Sequence, residues 1–342
     1  MKTKIVATTV GILFLIGVSA IGTLYYFVKI QQISLDKTVY IHILPEDNTN
    51  SVIDKIEEAA HPKSLIGFRI LAKHNKFDKQ KRSGRYAIHD KDNMHSIYRR
   101  IVCKEQTPVK VVIPATRTIP QLLSAIDKQL MLDSTTLSEY TTQPLYYSKI
   151  GYTKETLPSL FLPNTYEIYW DISPERFMIR MLKEHRNFWN NERKAKAAAI
   201  GLSIEEVATL ASIVDEETNN DAEKPIVAGL YINRLKRGML LQADPTVKYA
   251  LDDFTRKRIL KEDLKVESPY NTYKYKGLPP GPIRIPTLQA IESVLNYKRH
   301  NYLYMCAKED LSGSHNFART LSEHNTNARR YQQALNKINI KR

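Results

Sequence analysis

No charged side chain interrupts the stretch from Ile5 to Val28, and this run constrains the chain more than any other feature. A helix rises about 1.5 Å per residue, so one built on this stretch can cross the roughly 30 Å of a bilayer's hydrocarbon. A cleaved leader would have a shorter apolar region that ends in a small-residue cleavage site. Here Ser19-Ala20-Ile21-Gly22 lies inside the run, and Tyr25, Tyr26 and Phe27 close it as an interfacial aromatic group. The expectation is an uncleaved, single-pass anchor. Lys2 and Lys4 favour a cytoplasmic N-terminus, with residues from 30 onward on the outer side; Lys29 and Lys37 on the far side make that bias slight.

The 342 residues suffice for two modest domains, each with its own core. A net charge of +15 points to polyanionic partners: nucleic acid, a membrane surface or an anionic polymer. The basic residues are dispersed, and neither an Arg-rich tract nor zinc-ligand spacing occurs, which argues against nucleic acid. Cys103 and Cys306 show no metal spacing; they are expected as buried small hydrophobes, with one bridge between them as the alternative.

Beyond the apolar run, Val39, Ile41 and Ile43 alternate with polar neighbours and predict a strand. Helical patterns follow around Val52–Ile56 and over Ser64–Lys73, then a basic loop from Phe77 to Ser83, a strand over Gly84–Ile88 and a helix over Asn93–Val102. Together they make a small α+β module. A proline-bounded strand (108–114) and a helix from 120 to 131 come next, and the polar residues 133–160 read as a connector. Ser173-Pro174 starts a long helix, with His185 on its inner side as a core histidine. Asp221 is expected to cap a later helix that Gly238 closes.

The most informative helix begins at Ser203, with Glu206 three residues on as a capping box. Val207, Leu210, Ala211 and Val214 form its apolar stripe, and it runs into Asp215, Glu216 and Glu217. At about 100° per residue, Glu216 points away from the stripe into solvent, while Asp215 and Glu217 fall on its flanks. Acids are disfavoured at a helix C-terminus by the dipole. Desolvation and mutual repulsion would raise the pKa of a flanking carboxylate and suit it to general acid work. Geometry alone leaves open a solvated helix end, and does not choose between Asp215 and Glu217.

Four later loops mix turn formers with amides, hydroxyls and rings: Leu241-Gln-Ala-Asp-Pro-Thr246, Ser268-Pro-Tyr-Asn-Thr-Tyr273, Gly277-Leu-Pro-Pro-Gly-Pro-Ile283 and Gly313-Ser-His-Asn-Phe317. Such groups suit a sugar chain, whose hydroxyls bond amides and whose ring faces stack on aromatics. Together with Asp-Glu-Glu-Thr218 and Ile-Asn-Arg-Leu235, and in this order, they resemble the membrane-anchored endolytic murein transglycosylases of the YceG-like family. The resemblance covers nearly the whole chain.

The resemblance implies lytic cleavage of peptidoglycan glycan strands between N-acetylmuramic acid and N-acetylglucosamine, leaving 1,6-anhydro ends. It assigns the catalytic acid/base to Glu217, directly before Thr218. The sugar's own 6-hydroxyl attacks, so no second carboxylate is needed, unlike an ordinary glycosidase. Glu217 would protonate the leaving oxygen, and its carboxylate would then take the 6-hydroxyl proton. Thr218, Gln242, Asp244, Tyr270, Asn271, Tyr273, Asn316 and Phe317 would line the cleft. Asp215 and Glu216 depart from the family's Glu-Lys pair, and an anion in place of a cation is expected to raise the Glu217 pKa further.

No metal or cofactor is implied. The partners implied are glycan strands, the plasma (inner) membrane and peptidoglycan synthases, with the catalytic region on the outer side. The expected fold class is α+β: an anchor (1–30), a LysM-like module (31–105), a connecting strand, helix and polar linker (106–160), and a mainly helical, lysozyme-like catalytic domain (161–342) with a loop-built cleft. Two alternatives are a water-using muramidase with Asp215 or Asp244 as second carboxylate, and a non-catalytic wall-binding scaffold.

Overall fold

A computed structural model describes residues 2–30, 33–79, 82–256 and 258–337. The fold is mixed and helix-rich, with fourteen α-helices and three two-stranded sheets among the described residues. Two compact units divide it: residues 1–111 with 129–131 and 166–172, and the remainder.

In the first unit, α1 (Lys2–Lys29) contains the one helix segment among the described residues that is long and apolar enough to cross a membrane, Thr8–Lys29, with mean hydropathy 2.0. Strand β1 (Val39–Ile43) pairs antiparallel with β2 (Gly84–Ile88), Val39 opposite Ile88 and Ile43 opposite Gly84. Between them lie α2 (Thr49–Ala60) and α3 (Ile66–His74); α4 (Met94–Val102) and β3 (Val109–Ile113) follow. Asn48 starts α2 with a reciprocal capping box, and Asn93 caps α4 through Ser96 N. Alternation along β1 turns Ile41 and Ile43 inward, where they meet Val52, Ile53, Ile56, Phe68 and Ile97 in one core. Of the basic loop expected over 77–83, residues 80 and 81 lie outside the described residues, and Phe77–Lys79 form a 3-10 turn. Cys103 is exposed just past α4, not buried as expected.

The second unit corrects two expectations. Residues 133–160 are not a polar connector. After α5 (Ile119–Asp127) they form α6 (Ser134–Thr142), capped by Asp133, and α7 (Pro144–Lys149), and they bury Leu137, Tyr147, Tyr152, Leu157 and Leu160. These helices are too short, and their apolar residues too sparse, to show a helical period. Strand β4 (Asn164–Ile168), whose residues 166–168 belong to the first unit, pairs with β3 of that unit, and α8 (Pro174–Phe188) and α9 (Asn191–Ile200) follow in the second. His185 on α8 is buried beside the Tyr152 hydroxyl, and burial pushes its pKa down to about 4, so it is a neutral core histidine.

The second correction concerns α10 (Ile204–Glu217), the helix that opens with the Ser203–Glu206 capping box. Residues 207–215 are all buried, so the helix is enclosed on every side instead of showing one apolar face. Its other faces carry small side chains, and Thr209 and Ser212 satisfy their hydroxyls on the carbonyls of Glu205 and Thr209. Packed with it are α11 (Lys224–Lys236), the short α12 (Asp244–Ala250) and α13 (Leu288–Leu295). The common core includes Val207, Leu210, Val214, Leu230, Ile232, Ile291 and Val294. A hairpin of β5 (Tyr304–Ala307) and β6 (His315–Ala318), with Cys306 opposite Asn316, precedes α14 (Leu321–Lys337).

Candidate active site

The three acids at the end of α10 point to three different partners, and tertiary structure decides their roles. Asp215 is 5% exposed. It accepts from Lys224 Nζ at 2.9 Å and from Thr287 N and Oγ1 at 2.7 and 2.9 Å, tying α10 to the starts of α11 and α13. Asp221 is not the cap of α11; it pairs instead with Lys224 at 2.9 Å. Glu216 does not point into open solvent either. Arg117 and Arg284 grip it at 3.0 and 2.8 Å. Each of these carboxylates therefore has its own cation.

Glu217 makes no ion pair among the described residues, although the charges of Arg234 and Lys248 act on it. It is half-buried, and the Tyr231 hydroxyl donates to Oε1 at 2.7 Å. Burial pushes its carboxyl up to about 7, the hydrogen bond from Tyr231 pulls it back, and the charge of Asp244 adds to the rise. The expectation that Asp215 and Glu216 would raise it by repulsion is therefore replaced by desolvation, because both neighbours are ion-paired. Tyr231 is buried, and burial together with the facing carboxylate raises its pKa well above the ordinary value. It stays a donor at any working pH.

Glu217 opens onto a cavity of about 250 Å³ whose wall also includes Tyr231, Arg234, Gln242, Asp244, Tyr273, Cys306 and His315. Arg234 builds this wall by donating to the carbonyls of Leu303 at 2.6 Å and Leu241 at 2.8 Å, and to Gln242 Oε1 at 3.3 Å. Gln242 sits at φ +51, a region that costs a side-chain-bearing residue energy, and its amide is held by Thr272 O. Ala243 N donates to Thr272 Oγ1, which also bonds Thr246 Oγ1 at 2.8 Å. The 241–246 and 268–273 loops are thereby locked as one piece, and Tyr273 donates to Asp244 Oδ1 at 2.6 Å. In the 277–283 loop, a Cβ on Gly281 would lie 2.0 Å from Glu155 O, so the backbone approach there requires glycine.

Of the residues that the resemblance pointed to, Glu217, Gln242, Asp244 and Tyr273 meet at this cavity. Thr218, Tyr270, Asn271, Asn316 and Phe317 are not among its lining residues. Asn271 is fully buried, donates to Leu264 O and Val266 O at 2.9 and 2.8 Å, and accepts from Tyr273 N; it shapes the loop that presents Tyr273. Tyr270 leans on Tyr249 at 4.7 Å between ring centres, Phe317 stacks with Tyr302, and half-buried Asn316 donates to Glu309. Thr218 is buried and donates to Glu223 Oε2 at 3.4 Å. Sequence reasoning missed Tyr231, Arg234 and His315. Arg234 and His315 stand inside quoted motifs, but Tyr231 looks like one more apolar position of α11.

A half-buried carboxylic acid raised to about 7, beside amide, phenol and carboxylate groups, is equipped to protonate a leaving oxygen. Residues 41–330 match the model of the YceG-like family. This chain belongs to that family. An endolytic murein transglycosylase of Bacillus subtilis (strain 168) is 36% identical over 184 residues, 54% of this chain and 50% of the relative. One from Streptococcus pneumoniae (strain R6) is 32% identical over 178 residues, 50% of this chain and 31% of the relative. The alignments thus span half or less of these relatives' length. The crystal structure of a putative YceG-like protein from Listeria monocytogenes superposes with TM-score 0.57 at 25% identity, covering 85% of this chain and 99% of that one.

Proposed function

We propose that this YceG-like chain is a membrane-anchored endolytic lytic transglycosylase of peptidoglycan. The observation that carries the reading is Glu217: a half-buried carboxyl raised to about 7, held by Tyr231, and facing a cavity lined by Gln242, Asp244 and Tyr273. The names of the B. subtilis and S. pneumoniae relatives support the same substrate. Glu217 protonates the glycosidic oxygen between N-acetylmuramic acid and N-acetylglucosamine. The 6-hydroxyl closes on the anomeric carbon and leaves a 1,6-anhydro end, and the carboxylate formed in the first half is a base at hand for the second. Helix α1 anchors the chain in the plasma membrane with the catalytic unit outside, where nascent strands and their synthases lie. Residues 31–105 serve as a LysM-like wall-binding module, and residues 161–342 as the lysozyme-like catalytic region.

A hydrolytic muramidase is the second reading, because Asp244 supplies another carboxylate to the same cavity. Digesting purified glycan strands and weighing the products separates the two. Anhydro ends that disappear in Glu217→Gln are the expected result; reducing ends favour the muramidase, and undiminished cleavage by Glu217→Gln refutes both.

A further inference from the structure

A second ionisable pair borders the cavity without a part in this scheme. Glu223, just before α11, is a buried carboxylate, 8% exposed. Its two oxygens take the backbone N–H of His315 and ring atom Nδ1, each at 2.9 Å. In the neutral ring, a bond from Nδ1 to a carboxylate puts the proton on that nitrogen and makes Nε2 the acceptor. His315 opens β6 and lines the cavity that Glu217 lines, while its neighbour Asn316 bonds to exposed Glu309. The backbone amide alone would tie the hairpin to α11; the second bond fixes the ring itself. Thr218 Oγ1 reaches the same carboxylate at 3.4 Å, so the residue next to Glu217 shares the anchor that orients His315.

We propose that His315, oriented by Glu223, is the base that receives the proton of the sugar 6-hydroxyl, leaving Glu217 as the acid alone. The proposal rests on the lytic reading above and moves its second proton transfer from Glu217 to His315. Glu217 gives its proton to the leaving oxygen as the C1–O4 bond breaks. O6 forms the new bond to C1, and its proton passes to Nε2. The imidazolium then stands against the Glu223 carboxylate, whose buried charge stabilises it more strongly than an exposed one would. Return of one proton to Glu217, through solvent, restores both groups, so nothing is consumed. In this scheme acid and base are separate groups that line one cavity, so the second proton transfer does not wait on the first.

The test is turnover of purified glycan strands by the full chain in detergent, scoring anhydro ends. His315→Ala is expected to lower kcat by about 10²–10⁴-fold with KM nearly unchanged, and added imidazole is expected to restore part of the rate. Glu223→Gln, which keeps the histidine, is expected to lower kcat about tenfold or more at unchanged KM. Wild-type kcat in either variant, a loss confined to KM, or a folded His315→Ala that imidazole does not rescue overturns the proposal. If His315→Ala does not fold by circular dichroism, Glu223→Gln decides. A wild-type chain that makes no anhydro ends refutes the lytic reading itself; anhydro ends made at full rate by His315→Ala refute only the role of His315.

Discussion

Replacing Glu217 by Gln should abolish cleavage and, at the same time, stabilise the fold in a pH-dependent way. The carboxyl has an ordinary value of 4.5 and stands at about 7 in the folded chain. Because the folded pKa of this acid is raised, the folded state binds more protons than the unfolded one between those values, and stability falls as pH rises through that window. Each pKa unit is worth about 1.4 kcal/mol, so the full cost of holding the buried carboxylate charged is on the order of 3 kcal/mol above pH 7 and vanishes below about pH 4.5. Glutamine is nearly isosteric, can still accept from Tyr231, and carries no charge to desolvate. Urea unfolding of wild type and Glu217→Gln at pH 4.5, 6 and 8 measures the difference directly, since other titrating groups cancel in the comparison. The variant's advantage should grow with pH towards about 2–3 kcal/mol at pH 8. A stability difference that does not change with pH would refute the view that burial, at a functional cost to the fold, sets this acid.

Two further outcomes follow from the partners of the neighbouring residues. Tyr231→Phe removes a hydrogen bond to a carboxylate worth about 1.5–3 kcal/mol, so the alkaline fall in activity should move up by about 1–2 pH units while the plateau rate drops; an unmoved profile contradicts the role of Tyr231. Lys224→Met leaves the buried Asp215 charge without its cation and should cost about 3 kcal/mol by denaturant unfolding at pH 7, with much of the loss recovered in Asp215→Asn/Lys224→Met; a loss under about 1 kcal/mol would show that Thr287 alone suffices.

Local chemistry was legible wherever a few adjacent residues settle their own backbone. The Ser203–Glu206 capping box and the alternation of Val39–Ile43 both stand where the sequence puts them. The apolar run was equally plain, because spanning length depends on composition alone. Ordered motifs pointed to Glu217, yet they also drew in Asn271, Asn316 and Phe317, whose side chains are committed to the loops and hairpin that support the cavity.

What the amino-acid order determined by itself was the membrane-length helix, the helix ending in three acids and the family of the chain. Only the tertiary structure decided which acid is left without an ion pair among the described residues, since the partners of Glu216 lie 99 and 68 residues away along the chain. It also decided what raises Glu217 and what faces it, because desolvation depends on atoms that folding brings in from α11, α12 and the β5–β6 hairpin. A carboxylate's neighbours in sequence set its charge environment only when nothing distant neutralises them, and here two arginines and a lysine do.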